Sequence, residues 1–366
     1  MLTRLYIDNF RCFVNFEYRP ARRQLIIGRN GSGKSSLIDA LFLIRQFVSL
    51  SKTTHEMFSF SNWTKWANSR TQTFEIEASL KNGRYAYRLE LEFVGEPPRS
   101  RIAVERVEFE GRLVLDFTKG EVSLFSDGDA APVVYPYEPD RSALATARHD
   151  NVILTEFKQW IGGLYCFRLN PFAMTLQADG EDLYPNLTLS NIAAWYRHLT
   201  QAHPNESYNL RSSLRAALDG LDALILEPAG ENVRLLVADF VGQAGVHIRV
   251  GLNQLSDGQR CLICLYVILH FVLSRDCTVL IDEPDNFVAL PEIQPWLMEV
   301  ADMVDGGHGQ IILISHHPEA INQWAPQCGV QLVRGGTNEA HIEPFKPEPS
   351  SPLPPSELVA RGWERG

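Results

Sequence analysis

The sequence predicts an α/β protein in which a strand-rich segment and a run of helical patterns lie between two regions of alternating strands and helices. Short apolar strand patterns alternate with helical patterns near the N-terminus and again after about residue 276. Residues 72–126 instead contain alternating polar and apolar segments, with Asn82-Gly83 as a hairpin signal. Helical patterns at about 151–161, 188–203 and 207–222 follow this strand-rich segment.

The composition is that of an ordinary soluble globular protein. Of the 366 residues, 45% are hydrophobic and 21% are charged, and the formal net charge is -10. That acidic balance argues against a surface coated in positive charge for nucleic acid, although a local basic groove is compatible with it. Charged residues at Arg4 and Asp8 argue against a signal peptide. We therefore expect a cytoplasmic protein.

The most apolar segment, residues 261–274, is predicted to be a buried helix. It is short for a membrane span and carries His270. Cys261 and Cys264 lie within it at CxxC spacing, but no second pair follows to complete a zinc site. We therefore expect reduced cysteines in the core and no membrane association.

Residues Gly28–Ser35, GRNGSGKS, match the phosphate-loop pattern G-x-x-x-x-G-K-[ST] at every position. An apolar strand precedes the loop and an amphipathic helix follows it, which is the context the motif requires. Backbone amides near the helix start are expected to surround a triphosphate, and Lys34 to reach the β- and γ-phosphates. Ser35 is expected to hold Mg²⁺ through its hydroxyl. The predicted ATP-binding residues of the loop are Asn30, Gly31, Ser32, Gly33, Lys34, Ser35 and Ser36.

Two adjacent carboxylates, Asp282 and Glu283, end the apolar strand pattern TVLIDEPD. Adjacent strand residues point to opposite faces, so the two are expected to have different roles. Asp282 is predicted to support Mg²⁺, and Glu283 to act as the general base that polarises the attacking water. A solvated pair of acids at a strand end is the structural alternative.

A second apolar strand pattern, QIILISHH, ends in His316 and His317. An imidazole at this position can sense a γ-phosphate and position water, and we favour His316 for that role. A purely structural histidine is the alternative.

The segment NQLSDGQRC, residues 253–261, has the composition of a helix start. Together with the phosphate loop, LIDEP and ISHH, in that order along the chain, its LSDGQ resembles the signature of ABC-type ATPase heads of the RecF, SMC and OLD group. The N-terminal LTRLYIDNFRCF is similar to the first strand of that group. The nearest resemblance is to predicted AAA-family ATPases related to OLD proteins, many of which belong to bacterial anti-phage systems.

The resemblance implies an α/β fold with a RecA-like P-loop core, an antiparallel β-subdomain and an inserted helical lobe that carries the signature. We accordingly expect a nucleotide-binding lobe over 1–135 and a helical lobe over 136–275. The rest of the ATPase core is expected over 276–345, and a Pro/Ser-rich flexible tail over 346–366.

The resemblance also implies a head-to-tail homodimer or higher oligomer that sandwiches ATP. Lys34, Glu283 and His316 would be catalytic, and Ser35 and Asp282 would hold Mg²⁺. The signature residues that face the second subunit would be Ser256, Asp257, Gly258 and Gln259. Of these, Ser256 and the amide of Gly258 would bind the γ-phosphate of that subunit, with Gln259 beside them. Arg11 would reach the phosphates within its own subunit, with an ion pair as the alternative role.

Two places depart from the group. Asp257 replaces the usual first glycine of the signature and brings a negative charge. The segment after Glu283 lacks the usual histidine, although Asp285 and Asn286 remain candidate subunit contacts. Gln46 and Gln72 are the candidates for a glutamine-loop residue.

The favoured function is an ATP-driven switch subunit of a bacterial defence or toxin-type system. OLD nucleases continue into a TOPRIM domain, whereas only residues 336–366 follow the last predicted head strand here. We therefore expect a separately encoded effector, a nuclease or a toxin.

The alternative is a RecF-like repair ATPase that clamps duplex DNA, with Arg19, Arg22 and Arg23, or Arg211 and Arg215, as phosphate contacts. A P-loop kinase or GTPase gives no reason for the LSDGQ segment, so this class is not favoured.

Overall fold

The computed structural model describes residues 1–67, 69–125, 131–147, 151–242, 245–335, 339–346 and 353–362. Its contacts divide the chain into two compact units. The first unit comprises Met1–Tyr165 and Val330–Phe345, and the second comprises Cys166–Gly329 and Lys346–Gly366. The predicted functional division at residues 135, 275 and 345 stays a prediction.

The first unit contains an eight-stranded antiparallel sheet. The strands of this unit are β1 (Leu2–Asp8), β2 (Phe16–Tyr18), β3 (Arg23–Ile27), β4 (Thr71–Ser79), β5 (Arg84–Val94), β6 (Arg99–Phe109), β7 (Arg112–Thr118), β8 (Glu121–Leu124), β9 (Val133–Pro136), β17 (Gly329–Arg334, except its first residue) and β18 (Ala340–Pro344). The order in the eight-stranded sheet is β2-β1-β4-β5-β6-β7-β8-β9. The predicted β-subdomain is therefore present, and Asn82-Gly83 lies in the hairpin between β4 and β5. The helices of this unit are α1 (Lys34–Ser49), α2 (Thr54–Met57) and α3 (Val152–Gly162).

A fully buried carboxylate fixes the segment after β9 to this sheet. Glu105 on β6 accepts hydrogen bonds from the hydroxyls of Tyr87, at 2.9 Å, and Ser142, at 2.5 Å. It also accepts from the amide of Ala143 at 2.6 Å. Burial raises the pKa of Glu105, while these hydrogen bonds act in the opposite direction.

The second unit combines helices with a parallel strand pair and a small antiparallel sheet. Strands β15 (Thr278–Asp282) and β16 (Gln310–Ile314) are parallel and fully buried, and each is followed by a helix. The strands of the small sheet are β11 (Gln177–Ala178), β12 (Leu221–Pro228), β13 (Arg234–Val241) and β14 (His247–Gly251). In this sheet, β13 pairs with β11, β12 and β14. The helices are α4 (Ile192–Ala202), α5 (Glu206–Ala217), α6 (Asp257–Phe271), α7 (Leu290–Asp305), α8 (Pro318–Cys328) and α9 (Pro355–Arg361), and β10 (Leu164–Phe167) includes the boundary between the units.

Several elements differ from the sequence expectation. The helical pattern predicted over 207–222 ends at Ala217, and β12 begins at Leu221. This strand was not predicted because its first residues continue the apolar spacing of α5. Within the predicted flexible tail, α9 forms and packs against α8, with Leu358 buried.

Helix α6 is a core helix, as predicted. Residues Cys261 to Phe271 are all buried. The stretch Asp257–Arg275 is long and apolar enough to cross a membrane, but 72% of its most apolar window is buried inside the protein. Cys261 and Cys264 are free and buried, and burial raises the pKa of the Cys261 thiol to about 12. These thiols are core residues.

Candidate functional site

The predicted phosphate loop lies between β3 and α1, in the first unit. Gly31 and Gly33 have φ angles of 76° and 113°, in the left-handed region that favours glycine. A Cβ at Gly33 would lie 2.6 Å from Cys12 Sγ, so a larger residue has no room there. A Cβ at Gly31 would meet no atom within 4 Å, so only the backbone conformation requires glycine at that position. Gly33 is also the N-cap of α1, and it leaves that helix terminus without a capping side chain.

Lys34 is buried inside the loop. Its Nζ donates to the carbonyl oxygens of Gly28, at 2.6 Å, and Arg29, at 3.1 Å. Ser32 Oγ is buried and has no hydrogen-bond partner among the described residues, whereas the side chain of Ser35 is exposed. The loop therefore presents an ammonium, a buried hydroxyl and a helix N-terminus at one place, which is a favourable environment for an anion.

Arg11 is held beside this loop by an ion pair. Its Nη1 pairs with Asp39 Oδ2 on α1, and its Nε donates to Asn62 Oδ1 at 3.4 Å. Arg11 is thus in an ion pair, but with a residue of helix α1. Its role toward phosphates stays a prediction.

The adjacent carboxylates lie at the end of β15, in the second unit. Asp282 is buried, and its Oδ2 accepts from Arg168 Nε at 2.9 Å. Glu283 follows the strand with φ 51°, and its Oε2 accepts from Asn286 Nδ2 at 2.6 Å. The two carboxylates have different surroundings because the backbone turns sharply between them. The sequence did not identify Arg168 as a partner of Asp282, because 114 residues separate the two.

The neighbouring polar residues form a hydrogen-bonded chain. Ser315 Oγ donates to Asp285 Oδ1 at 2.6 Å and accepts from the amide of His317 at 2.9 Å. Burial raises the pKa of Asp285, and the hydrogen bond from Ser315 opposes that effect. The side chain of His317 caps α8 by accepting from Glu319 N at 3.2 Å, while His316 is exposed. His317 thus has a structural role, which leaves His316 as the predicted switch.

The signature segment begins α6. Ser256 is its N-cap, and Ser256 and Gln259 form a reciprocal capping box with distances of 3.2 and 3.1 Å. A Cβ at Gly258 would lie 2.7 Å from the carbonyl oxygen of Phe287, so only glycine fits. The exposed Ser256 hydroxyl accepts from Gln259 N and still has a proton to donate.

Asp257 forms an ion pair with Arg260 on the same helix. Arg260 also donates from Nη1 to the carbonyl oxygen of Pro171 at 2.5 Å, which holds its guanidinium in place. The negative charge that departs from the usual signature is therefore locally compensated.

The side-chain amide nitrogen of Gln72 is engaged in hydrogen bonds inside the protein. Gln72 is fully buried on β4, and its Nε2 donates to the carbonyl oxygens of Asn9, at 2.9 Å, and Asn62, at 3.4 Å. Gln46 lies half-buried in α1. Both candidates thus lie within regular elements, and the identity of the glutamine-loop residue stays a prediction.

The predicted residues fall into two groups. The phosphate loop and Arg11 lie in the first unit, and the carboxylates, His316 and the signature lie in the second. Within the second unit, the contact between Gly258 and Phe287 joins the signature helix to the segment that follows Glu283.

Comparisons with known proteins bear on the fold of the chain. The AAA domain family matches residues 4–122. A solved SMC head, bound to the C-terminal winged-helix domain of ScpA, is 13% identical with a TM-score of 0.57, and the alignment covers 93% of this chain and 97% of that chain. An Smc head with an extended coiled coil, bound to the C-terminal domain of ScpA from Pyrococcus furiosus, is 12% identical with a TM-score of 0.57, covering 99% and 98%. No curated protein matches the sequence.

The chain therefore has the α/β fold of an SMC-type ATPase head, and the predicted fold class is confirmed.

Proposed function

We propose that this protein is an ABC-type ATPase that binds ATP between two head-to-tail copies and acts as a nucleotide-dependent switch. The observation that carries the proposal is the loop from Gly28 to Ser35, with its two left-handed glycines and its buried Lys34 at the start of α1. The SMC-head fold and the AAA domain match support the same class.

The residues present fit ATP and Mg²⁺. The loop offers a positive charge and a helix N-terminus to phosphate oxygens. The hydroxyl of Ser35 and the carboxylate of Asp282 are hard oxygen donors of the type that Mg²⁺ prefers. Arg168 holds Asp282 through Oδ2, so this carboxylate is oriented before any ligand arrives. When bound, Mg²⁺ would neutralise charge on the phosphate oxygens.

Glu283 is proposed as the general base, and its position beyond the strand end supports that role. Asn286 Nδ2 orients one oxygen of its carboxylate and leaves the other to accept a proton from water. His316 is proposed to contact the γ-phosphate, because His317 is engaged in capping α8.

The signature is proposed to complete the site of the second copy. The exposed Ser256 hydroxyl and the N-terminus of α6 would donate to γ-phosphate oxygens there. Arg260 compensates the charge of Asp257, so this surface is compatible with an approaching triphosphate. Asp285 and Asn286 remain proposed contacts between the two copies.

We further propose that the ATPase controls a separately encoded effector, a nuclease or toxin, in a bacterial anti-phage system in the cytoplasm. The resemblance to OLD-related ATPases supports the defence role. Both solved heads are complexes with a domain of another protein, ScpA, which supports a protein partner in general.

The alternative, a clamp on duplex DNA, is not favoured. Two of its proposed phosphate contacts, Arg211 and Arg215, both pair with the buried carboxylate of Asp222. A third, Arg19, pairs with Glu17 at 2.9 Å. These charges are already compensated within the chain.

The test is the molar mass of the Glu283→Gln variant in solution, with and without ATP and Mg²⁺. Without the base, ATP should persist and the dimer should accumulate, whereas the wild type should dimerise only transiently. To test for the effector, the molar mass is measured again after adding a protein whose gene lies beside the gene of this one. A monomer that binds ATP but never dimerises would contradict the sandwich.

A further inference from the structure

An exposed tryptophan lies beside the phosphate loop in the first unit. Trp66 is 40% exposed, and the guanidinium of Arg334 lies over its ring at 5.1 Å from the centroid. Arg334 Nη1 also donates to the carbonyl oxygen of Gly31 at 3.2 Å. A single arginine thus connects the indole ring to the loop that is proposed to hold the phosphates.

The segment that carries Trp66 is also attached to residues that precede the loop, one of which packs against Gly33. Thr64 Oγ1 donates to the carbonyl oxygen of Phe13 at 3.3 Å, and Thr64 N donates to Asn9 Oδ1 at 3.3 Å. The ring of Phe13 lies directly under Gly33, 3.3 Å from where a Cβ would be. Trp66 is therefore positioned relative to the loop by two independent sets of contacts.

This attachment distinguishes Trp66 from the neighbouring aromatic residues. Phe60, Trp63 and Phe93 pack on one another, with ring centroids 4.7 to 5.7 Å apart, and form a structural cluster. Trp66 instead packs against a cation and presents part of its surface to solvent. A large aromatic surface held beside an anion site is suited to a ligand that has both a phosphate chain and a flat ring.

We propose that Trp66 stacks on the nucleobase of the nucleotide whose phosphates occupy the Gly28–Ser35 loop, and that Arg334 is the positioning residue for its ring. This inference rests on the proposed function and adds the base contact to it. Stacking is available to every base because each has a π-face, so Trp66 contributes affinity with little discrimination between ATP and GTP. The guanidinium of Arg334 holds the Trp66 ring in position, since a cation attracts the face of an aromatic ring.

The test compares ATP with inorganic triphosphate, which has the phosphates and lacks the base. Trp66→Ala should bind ATP about tenfold to a hundredfold more weakly than wild type. Its affinity for inorganic triphosphate should be unchanged. Trp66→Phe should retain ATP affinity but lose the part of the tryptophan fluorescence change that ATP causes. Arg334→Gln should reduce that fluorescence change and weaken ATP binding.

Tyr208→Ala is the matched control, because Tyr208 is an exposed aromatic residue in the second unit, and it should leave both affinities unchanged. ATP affinity that survives Trp66→Ala would overturn the base contact and leave the proposed function standing. Equal weakening of ATP and triphosphate would also overturn it, since Trp66 would then act on the loop. If wild type binds neither ligand, the proposed function itself fails. Folding of each variant is checked by its unfolding midpoint, with Trp66→Phe as the conservative variant.

Discussion

The carboxylate of Asp257 is paired with the guanidinium of Arg260, three residues later on α6. The usual signature has a glycine where Asp257 stands, and an uncompensated carboxylate there would repel the triphosphate of a second copy. The pairing gives Arg260, which lies just outside the motif, a role in compensating the charge of Asp257.

Arg260→Ala should weaken ATP-driven dimerisation about tenfold. Without Arg260, the uncompensated carboxylate of Asp257 would repel the triphosphate bound to the second copy. The double variant Arg260→Ala with Asp257→Gly should restore dimerisation, since it removes the repelling carboxylate as well. The dimer dissociation constant in saturating ATP measures both effects. If the double variant stays as weak as the single one, Arg260 acts instead through its hydrogen bond to Pro171.

Lys34→Ala should lower ATP affinity about a hundredfold or more, because a buried ammonium is lost from a site for a polyanion. Nucleotide binding is measured by titration calorimetry with Mg²⁺ present. Lys52→Ala is the control, since Lys52 is an exposed lysine and its loss should have little effect. Retained ATP affinity in Lys34→Ala would place the nucleotide elsewhere.

Ser256→Arg should abolish hydrolysis without changing ATP binding to the monomer, because it removes the hydroxyl that is proposed to donate to the γ-phosphate of the second copy. The loss in rate should be about a hundredfold or more. Ser256→Arg mixed with Lys34→Ala should recover activity, since a mixed dimer has one intact loop facing one intact signature. If neither inactive variant complements the other, the site is not shared between copies.

Glu105 should give a pH-dependent contribution to stability. Burial raises its pKa in the folded protein above the value of 4.5 for an ordinary glutamate. Its contribution to stability is therefore full below that ordinary pKa and is lost as the pH rises through the folded-state pKa. Urea unfolding of wild type and Glu105→Gln across pH should show the wild-type advantage falling as pH increases. A rising advantage would contradict the direction of this shift.

The loop, the strands around it and the helix starts were predictable because each depends on local sequence. Left-handed glycines, apolar strands and the capping box at Ser256 are visible within a few residues. The compensation of Asp257 was also within reach, because a spacing of i to i+3 places two side chains on one helix face.

Contacts across long stretches of chain were not predictable. Arg168 orients Asp282 from 114 residues away, and Arg334 reaches Gly31 across 303 residues. The arginines at 211 and 215 had the appearance of a basic surface until the fold placed Asp222 between them. Partners of this kind depend on tertiary packing, which one sequence does not display.

Because Gly258 lies against the backbone of Phe287, α6 has no room to shift toward the segment after Glu283 unless that segment yields. Phe287 is itself 38% exposed and stacks edge-on against Phe172. A spectroscopic label attached next to this aromatic pair would therefore detect a movement at the start of α6 without lying in the signature segment itself. Because the two backbones are this close, a residue larger than glycine at position 258 would have to displace the segment that follows Glu283.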